Sequence, residues 1–172
     1  MIALPNYADI NGRPMKKLQI QQYLRKLQLN DFEPAVNLAT LTKLQDAHLK
    51  YIPYENFDCL NGKITSLKRQ DMFNKVIMHN RGGICFELNG LYNWLLESLG
   101  FDVTSYSARF IDKTETYQLR RHRVMCVALG DKRYLTDVGV NSESPRVPLE
   151  ITEGLIQSDG ISQYKFTRSE FW

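Results

Sequence analysis

The stretch Asn80-Arg81-Gly82-Gly83-Ile84-Cys85-Phe86-Glu87-Leu88-Asn89-Gly90 decides the reading of this chain, because it sets one thiol where a glycine-rich turn becomes a helix. Gly82 and Gly83 let the backbone bend sharply and approach a ligand closely. The apolar series Cys85, Leu88, Tyr92, Leu95 and Leu99, closed by Gly100, predicts the helix that follows and puts Cys85 at its start. Unpaired N–H groups and the positive end of the helix dipole favour thiolate over thiol there. Cys85 is therefore a candidate nucleophile. An isolated cysteine in this setting reads equally as a small buried apolar residue beside an ordinary turn; what separates the two readings is whether a histidine and a carboxylate arrive from elsewhere in the chain.

Upstream of this stretch the pattern is helical. Ile20, Tyr23, Leu24 and Leu27 recur at i, i+3, i+4 and i+7 between Pro14 and Asn30, which predicts one amphipathic helix. A second is predicted from Pro34, with Leu41, Leu44 and His48 inward, ending before Pro53 because a residue preceding proline is pushed out of helical geometry. His48 reads as a packed or hydrogen-bonded structural histidine. Ile52 to Phe57 reads as an extended connector, and a shorter helix with Phe73, Val76 and Ile77 inward precedes the glycines. Glu55 and Arg81 bracket the region, either as an ion pair holding the nucleophile loop or as two unrelated surface charges.

Downstream of Gly100 the pattern turns to β. Val103 to Ile111, Val124 to Leu129 and Arg133 to Val140 have strand length and are rich in branched and aromatic residues, with Gly130-Asp131 as a hairpin signal between the last two. If that loop has two residues, Leu129 faces Lys132, His122 falls opposite Gly139, and Asp137 is its diagonal neighbour on the same face. Diagonal cross-strand positions lie roughly 7 to 8 Å apart, within reach of a side-chain hydrogen bond. A three-residue loop would send the two side chains to opposite faces. Asp137 stands among Leu135, Val138 and Val140, where a carboxylate is costly to bury without a partner such as an imidazole N–H. An edge-strand aspartate facing water and a histidine at a strand entrance are the structural alternatives. Jointly, Cys85 attacks, His122 moves protons, and Asp137 fixes the imidazole tautomer. Such a set suits acyl transfer or amide hydrolysis, the thioacyl-enzyme being discharged by water, an amine or another thiol.

Composition narrows the classes further. With 172 residues, 43% hydrophobic and 24% charged, the chain can bury one solid core or two small ones packed together. A net charge of +3 with scattered Lys and Arg argues against a nucleic-acid surface, and the cluster Arg120-Arg121-His122-Arg123 reads as a loop running into a strand. No run approaches the roughly 18 apolar residues of a membrane span, and the amino terminus has no charged head followed by an apolar stretch, so a cytoplasmic protein is expected. Cys59, Cys85 and Cys126 form no Cys-x-x-Cys pair and read as reduced thiols; with His48, His79 and His122 they show no zinc-ligand spacing, so no metal is expected.

At these residues the sequence resembles the arylamine N-acetyltransferases. The matching segments are His48 to Phe57, Arg81 to Asn89, the strand opening at His122, and Leu135-Thr136-Asp137-Val138-Gly139; Pro148-Leu149 and Tyr164 to Trp172 look like the family's next strands. The resemblance implies an α+β, cysteine-protease-like fold, with a helical bundle over residues 1–84 and the catalytic helix plus an antiparallel β-rich domain over 85–172. It implies a Cys85, His122, Asp137 triad, acetyl-CoA as acyl donor, and a small aromatic amine, hydrazine or arylhydroxylamine as acceptor. Val140-Asn141 stands where the family has Phe-Gly, and the matching aromatic helps line the acceptor pocket, so Val140 implies a roomier or altered one; Phe110, on the strand after the catalytic helix, reads as part of the same wall or equally as a core phenylalanine. The chain ends at Glu170-Phe171-Trp172, where the family continues into a carboxy-terminal domain. The expectation is uncovered strand edges, a possible self-association through them, and acetyl transfer weakened relative to hydrolysis. A non-catalytic module that keeps the fold, or a thioester hydrolase, are the other readings.

Overall fold

The computed structural model describes residues 2–3, 13–111, 119–140 and 144–168. The first apolar stripe forms helix α1, Lys17–Lys26, which buries Tyr23 and Leu24, with Leu27 buried just beyond its end. Helix α2 runs Leu38–Tyr51 and buries Leu41, Leu44 and His48 as their spacing predicts. It starts later than Pro34. Asn37, in extended conformation, takes the cap position and its side chain accepts from the Thr40 N–H at 2.9 Å, so Pro34 lies in the preceding connection. The chain leaves helical geometry at Ile52, ahead of Pro53.

A short helix α3, Phe57–Leu60, follows the connector. Helix α4, Arg69–Phe73, continues into a single π-helical turn, Asn74–Met78, in which the His79 N–H reaches the Asn74 carbonyl at 2.9 Å. Phe73, Val76 and Ile77 are buried as expected, and the π turn, a feature frequent at functional sites, carries Lys75.

Helix α5, Cys85–Ser98, is the centre of the molecule. Its buried surface is wider than the single stripe read from sequence, because Leu91, Trp94 and Leu96 are buried along with Leu88, Tyr92 and Leu95. The helix packs against α4 on one side and against two strands on another, so little of it is left to face water. Each fully buried leucine contributes about 2 kcal/mol. The helix stops at a Schellman arrangement: Gly100 has φ +92°, its N–H reaches the Glu97 carbonyl at 3.1 Å, and the Phe101 N–H reaches the Leu96 carbonyl at 3.0 Å.

Five antiparallel strands make one sheet in the order β1-β2-β3-β4-β5: Ile2–Ala3, Asp102–Ala108, His122–Leu129, Lys132–Thr136 and Leu149–Glu150. A separate ribbon pairs β6, Ile156–Ser158, with β7, Gln163–Lys165. The β3–β4 hairpin turns through Gly130, at φ +64°, and Asp131, with Leu129 opposite Lys132 and Met125 opposite Thr136. This is the two-residue loop on which the placement of His122 and Asp137 depends.

Two strands are shorter than read. β2 ends at Ala108 rather than Ile111, and β4 ends at Thr136 rather than Val140. After Thr136 the backbone donors leave the ladder: the Val138 N–H goes to the Asn89 side chain and the Gly139 N–H to the Asp137 carboxylate, both at 2.8 Å. Of the segments assigned to later strands, residues 169–172 lie outside the described residues, as does Asn141. Buried residues of the helical half and of the sheet form one core cluster, joining Tyr23, Leu44 and Phe73 with Leu95, Met125 and Val127.

Candidate active site

The site is assembled where the start of α5 meets the ends of β3 and β4. Cys85 is the first residue of α5, half-buried, and its thiol donates to the Arg121 carbonyl at a sulfur–oxygen distance of 3.6 Å. His122 opens β3 and Asp137 follows β4. Both are buried, and His122 Nε2 lies 2.6 Å from Asp137 Oδ2. The remaining ring nitrogen is Nδ1, and Cys85 is near enough to His122 to raise the pKa of the ring. The parity argument therefore holds: the hairpin register brings imidazole and carboxylate to one face, and helix α5 brings sulfur to the same place.

The charge balance follows from the partners. Burial pulls the His122 pKa down, but the hydrogen bonds and negative charges of Asp137 and Cys85 outweigh it and raise the group from 6.5 to about 9. The imidazolium form is thus held at neutral pH.

Asp137 is itself fixed from its other oxygen. Oδ1 accepts from Asn89 Nδ2 and from the Gly139 N–H, each at 2.8 Å, while Asn89 Nδ2 also reaches the Arg123 carbonyl and Asn89 Oδ1 accepts from the Val138 N–H at 2.8 Å. Asn89 is fully buried and was given no role from sequence. The signal was present: Asn89 lies one helical turn after Cys85, a polar residue on the face that carries the thiol.

The glycines act differently from the sequence reading. Gly82 and Gly83 are not among the positive-φ residues, so a sharp bend is not their purpose. A β-carbon at Gly82 would run into the Pro53 carbonyl and come within 2.8 Å of Glu55 Cγ, and one at Gly83 would lie 2.8 Å from Glu87 Oε2. They admit the Pro53 to Glu55 connector and the Glu87 carboxylate rather than a ligand. Tyr54 makes a parallel bridge to Gly83, and the Glu55 N–H donates to the Gly83 carbonyl at 3.0 Å. The Glu55 to Arg81 ion pair forms, with Arg81 Nη2 2.7 Å from Glu55 Oε1.

The Phe110 ring lies 5.0 Å from the His122 ring and is 51% exposed. Val140 is half-buried just past Gly139, and its N–H donates to Ser144 Oγ at 3.0 Å. A 420 Å³ cavity lined by residues including Arg25, Tyr51 and Met78 touches none of Cys85, His122 and Asp137. Among the described residues no group of three or more His, Cys, Asp or Glu could hold a metal ion, and no helix is long and apolar enough to cross a membrane.

Comparison with known proteins gives the family. A family model described as N-acetyltransferase matches residues 37–171, a range that includes Cys85, His122 and Asp137. The chain belongs to the arylamine N-acetyltransferase family. The arylamine N-acetyltransferase of Mycolicibacterium smegmatis is 35% identical over 152 residues, covering 85% of this chain and 55% of that protein. The solved arylamine N-acetyltransferase of Salmonella typhimurium superposes with a TM-score of 0.85 at 28% identity, over 90% of this chain and 56% of that one. The Mycobacterium marinum arylamine N-acetyltransferase solved in complex with CoA gives a TM-score of 0.80 at 27% identity, over 88% and 57% of the two chains. The chain spans about half the length of these relatives. Its fold is α+β and cysteine-protease-like, as these relatives' folds are.

Proposed function

We propose that this chain carries the acetyl-transfer chemistry of the arylamine N-acetyltransferases, with Cys85 as nucleophile, His122 as proton carrier and Asp137 as the group that orients the imidazole. The observation that carries the reading is the buried 2.6 Å contact between His122 and Asp137 at the end of the strand pair that faces Cys85. In this reading residues 1–84 brace the start of α5, and residues 85–172 supply the reacting groups.

The donor is acetyl-CoA, supported by the CoA complex of the M. marinum relative. The Cys85 thiolate attacks the acetyl carbonyl, the thioester bond to CoA breaks, and His122 gives its proton to the departing CoA sulfur. N–H groups at the start of α5, including that of Cys85, are the candidates for holding the oxyanion. The acceptor is an arylamine, hydrazine or arylhydroxylamine. Its nitrogen or oxygen attacks the acetyl-cysteine, His122 takes the proton, and Cys85 leaves as thiolate. Phe110 against the imidazole and Val140 past the Gly139 turn would line the acceptor side.

Incubation with acetyl-CoA followed by intact-mass and peptide-mass measurement tests this. One acetyl group on Cys85, absent in Cys85→Ser and discharged by an added arylamine, is the expected result. A chain that gains no acetyl group, or discharges it to water alone with amine present, fits a module that keeps the fold or a thioester hydrolase.

A further inference from the structure

Behind the nucleophile lies a network of charges that the triad does not use. Lys75 Nζ, carried on the π-helical turn, contacts three carboxylates: Glu87 Oε1 at 2.8 Å, Asp58 Oδ2 at 2.9 Å and Glu55 Oε1 at 3.9 Å. Arg81 contacts two of the same groups, Glu55 at 2.7 Å and Asp58 at 3.3 Å. With Lys63 Nζ 3.6 Å from Asp58 Oδ1, three cations serve Glu55, Asp58 and Glu87, and the charges of the cluster balance.

Glu87 is the link to the chemistry. It is buried, two residues after Cys85 on the first turn of α5, and its Oε2 accepts from the Ile84 N–H at 2.9 Å. That is half of a capping box, the other half being unavailable because isoleucine has no side-chain acceptor. The carboxylate holds the helix start, yet its charge opposes formation of a thiolate beside it. The ammonium of Lys75 both seats Glu87 and offsets that charge. Its backbone adds a second tie, since the Arg81 N–H donates to the Lys75 carbonyl at 3.1 Å. Burial disfavours the charged ammonium, but the hydrogen bonds to Glu87 and Asp58 outweigh this and raise its pKa, so Lys75 remains a cation.

We propose that Lys75 is a positioning residue for the nucleophile, fixing Glu87 as the brace of the Cys85 helix start and neutralising the carboxylate that would otherwise disfavour the thiolate. The inference rests on Cys85 being the nucleophile. The other titratable groups around Cys85 and Lys75 are His122 from β3 and Tyr54 from the connector, with Glu55, Asp58, Lys63 and Arg81 behind Lys75.

The test is the pH dependence of alkylation by iodoacetamide, read at each cysteine by peptide mass, with Cys59 and Cys126 as references in the same molecule. Wild-type Cys85 should react at lower pH than either reference. Lys75→Met should move the Cys85 midpoint up by about one pH unit and leave Cys59 in place. Lys75→Arg should restore most of the shift. Adding Glu87→Gln to Lys75→Met should also restore it, because glutamine still accepts from the Ile84 N–H without the charge. Glu87→Gln alone should lower the midpoint, which keeps the idea testable if Lys75→Met does not fold. An unmoved midpoint in Lys75→Met, an equal shift at Cys59, or a raised midpoint in Glu87→Gln overturns the role of Lys75. If wild-type Cys85 reacts no earlier than Cys59, the nucleophile reading itself fails and takes this inference with it.

Discussion

Gly139 packs directly on Cys85: a β-carbon at position 139 would lie 2.8 Å from Cys85 Cα and 3.0 Å from Cys85 Cβ. The turn after β4 therefore reaches the start of α5 only because position 139 has no side chain. Gly139→Ala should push the helix start away from Asp137 and His122. We expect a loss of about 1–3 kcal/mol in stability and a fall of about 100-fold in the rate of Cys85 acetylation. Denaturant unfolding and stopped-time acetylation would measure the two. Acetylation at the wild-type rate would contradict the close contact.

Asn89→Ala should be costly for a different reason. It removes the donor to Asp137 Oδ1 and to the Arg123 carbonyl and the acceptor of the Val138 N–H, all buried. A loss of about 2–4 kcal/mol is expected, since three buried polar groups each lose a partner. Asn89→Asp should lower acetylation further than stability explains, because a second carboxylate beside Asp137 forces one of them to take up a proton. Rates compared at matched folded fraction would separate the two effects.

For Gly82→Ala the clash is with the Pro53 carbonyl, part of the main chain, so no side-chain rotation relieves it. The expected loss is about 3 kcal/mol or more, together with a weakened tie between the connector and the nucleophile loop. Thermal unfolding checks this, and a melting temperature within a degree or so of wild type would argue against it.

The His122 pKa ties stability to pH with a definite sign. Its folded value of about 9 lies above the ordinary 6.5, so folding favours the protonated ring. The stabilisation is fully present below about pH 6.5 and is lost as pH rises through about 9. The difference in unfolding free energy between wild type and His122→Gln, followed from about pH 6 to 10, should shrink toward alkaline pH. A difference that grows with pH would reverse the assignment.

Tyr23→Phe is expected to raise stability, by about 1 kcal/mol. The Tyr23 hydroxyl is fully buried beside His48, and among the described residues it has no hydrogen-bond partner. Calorimetry would show an increased melting temperature; a decrease would mean that the hydroxyl is satisfied after all.

Much of the fold was legible because local patterns carry it. The apolar spacing of Tyr23, Leu24 and Leu27 marked α1, and Gly100 marked the end of α5. Gly130-Asp131 marked the hairpin, and its two-residue loop placed His122 and Asp137 on one face. Where readings missed, a contact distant in sequence had decided the local geometry. Asn37 moved the start of α2, Asn89 drew Val138 out of the sheet, and the two faces packed against α5 buried more of it than one stripe implies.

The site divides along the same line. That Cys85 begins a helix, and that an imidazole and the carboxylate just past the partner strand come to one side of the hairpin, follow from period and parity, which a sequence states directly because neighbours along the chain are neighbours in space. That Asn89 steadies the carboxylate, that Gly139 packs on the backbone of Cys85, and that Lys75 reaches Glu87 follow from packing between separate elements. Those pairings are set by how helices and sheet close around one core, and no spacing within a single segment encodes them.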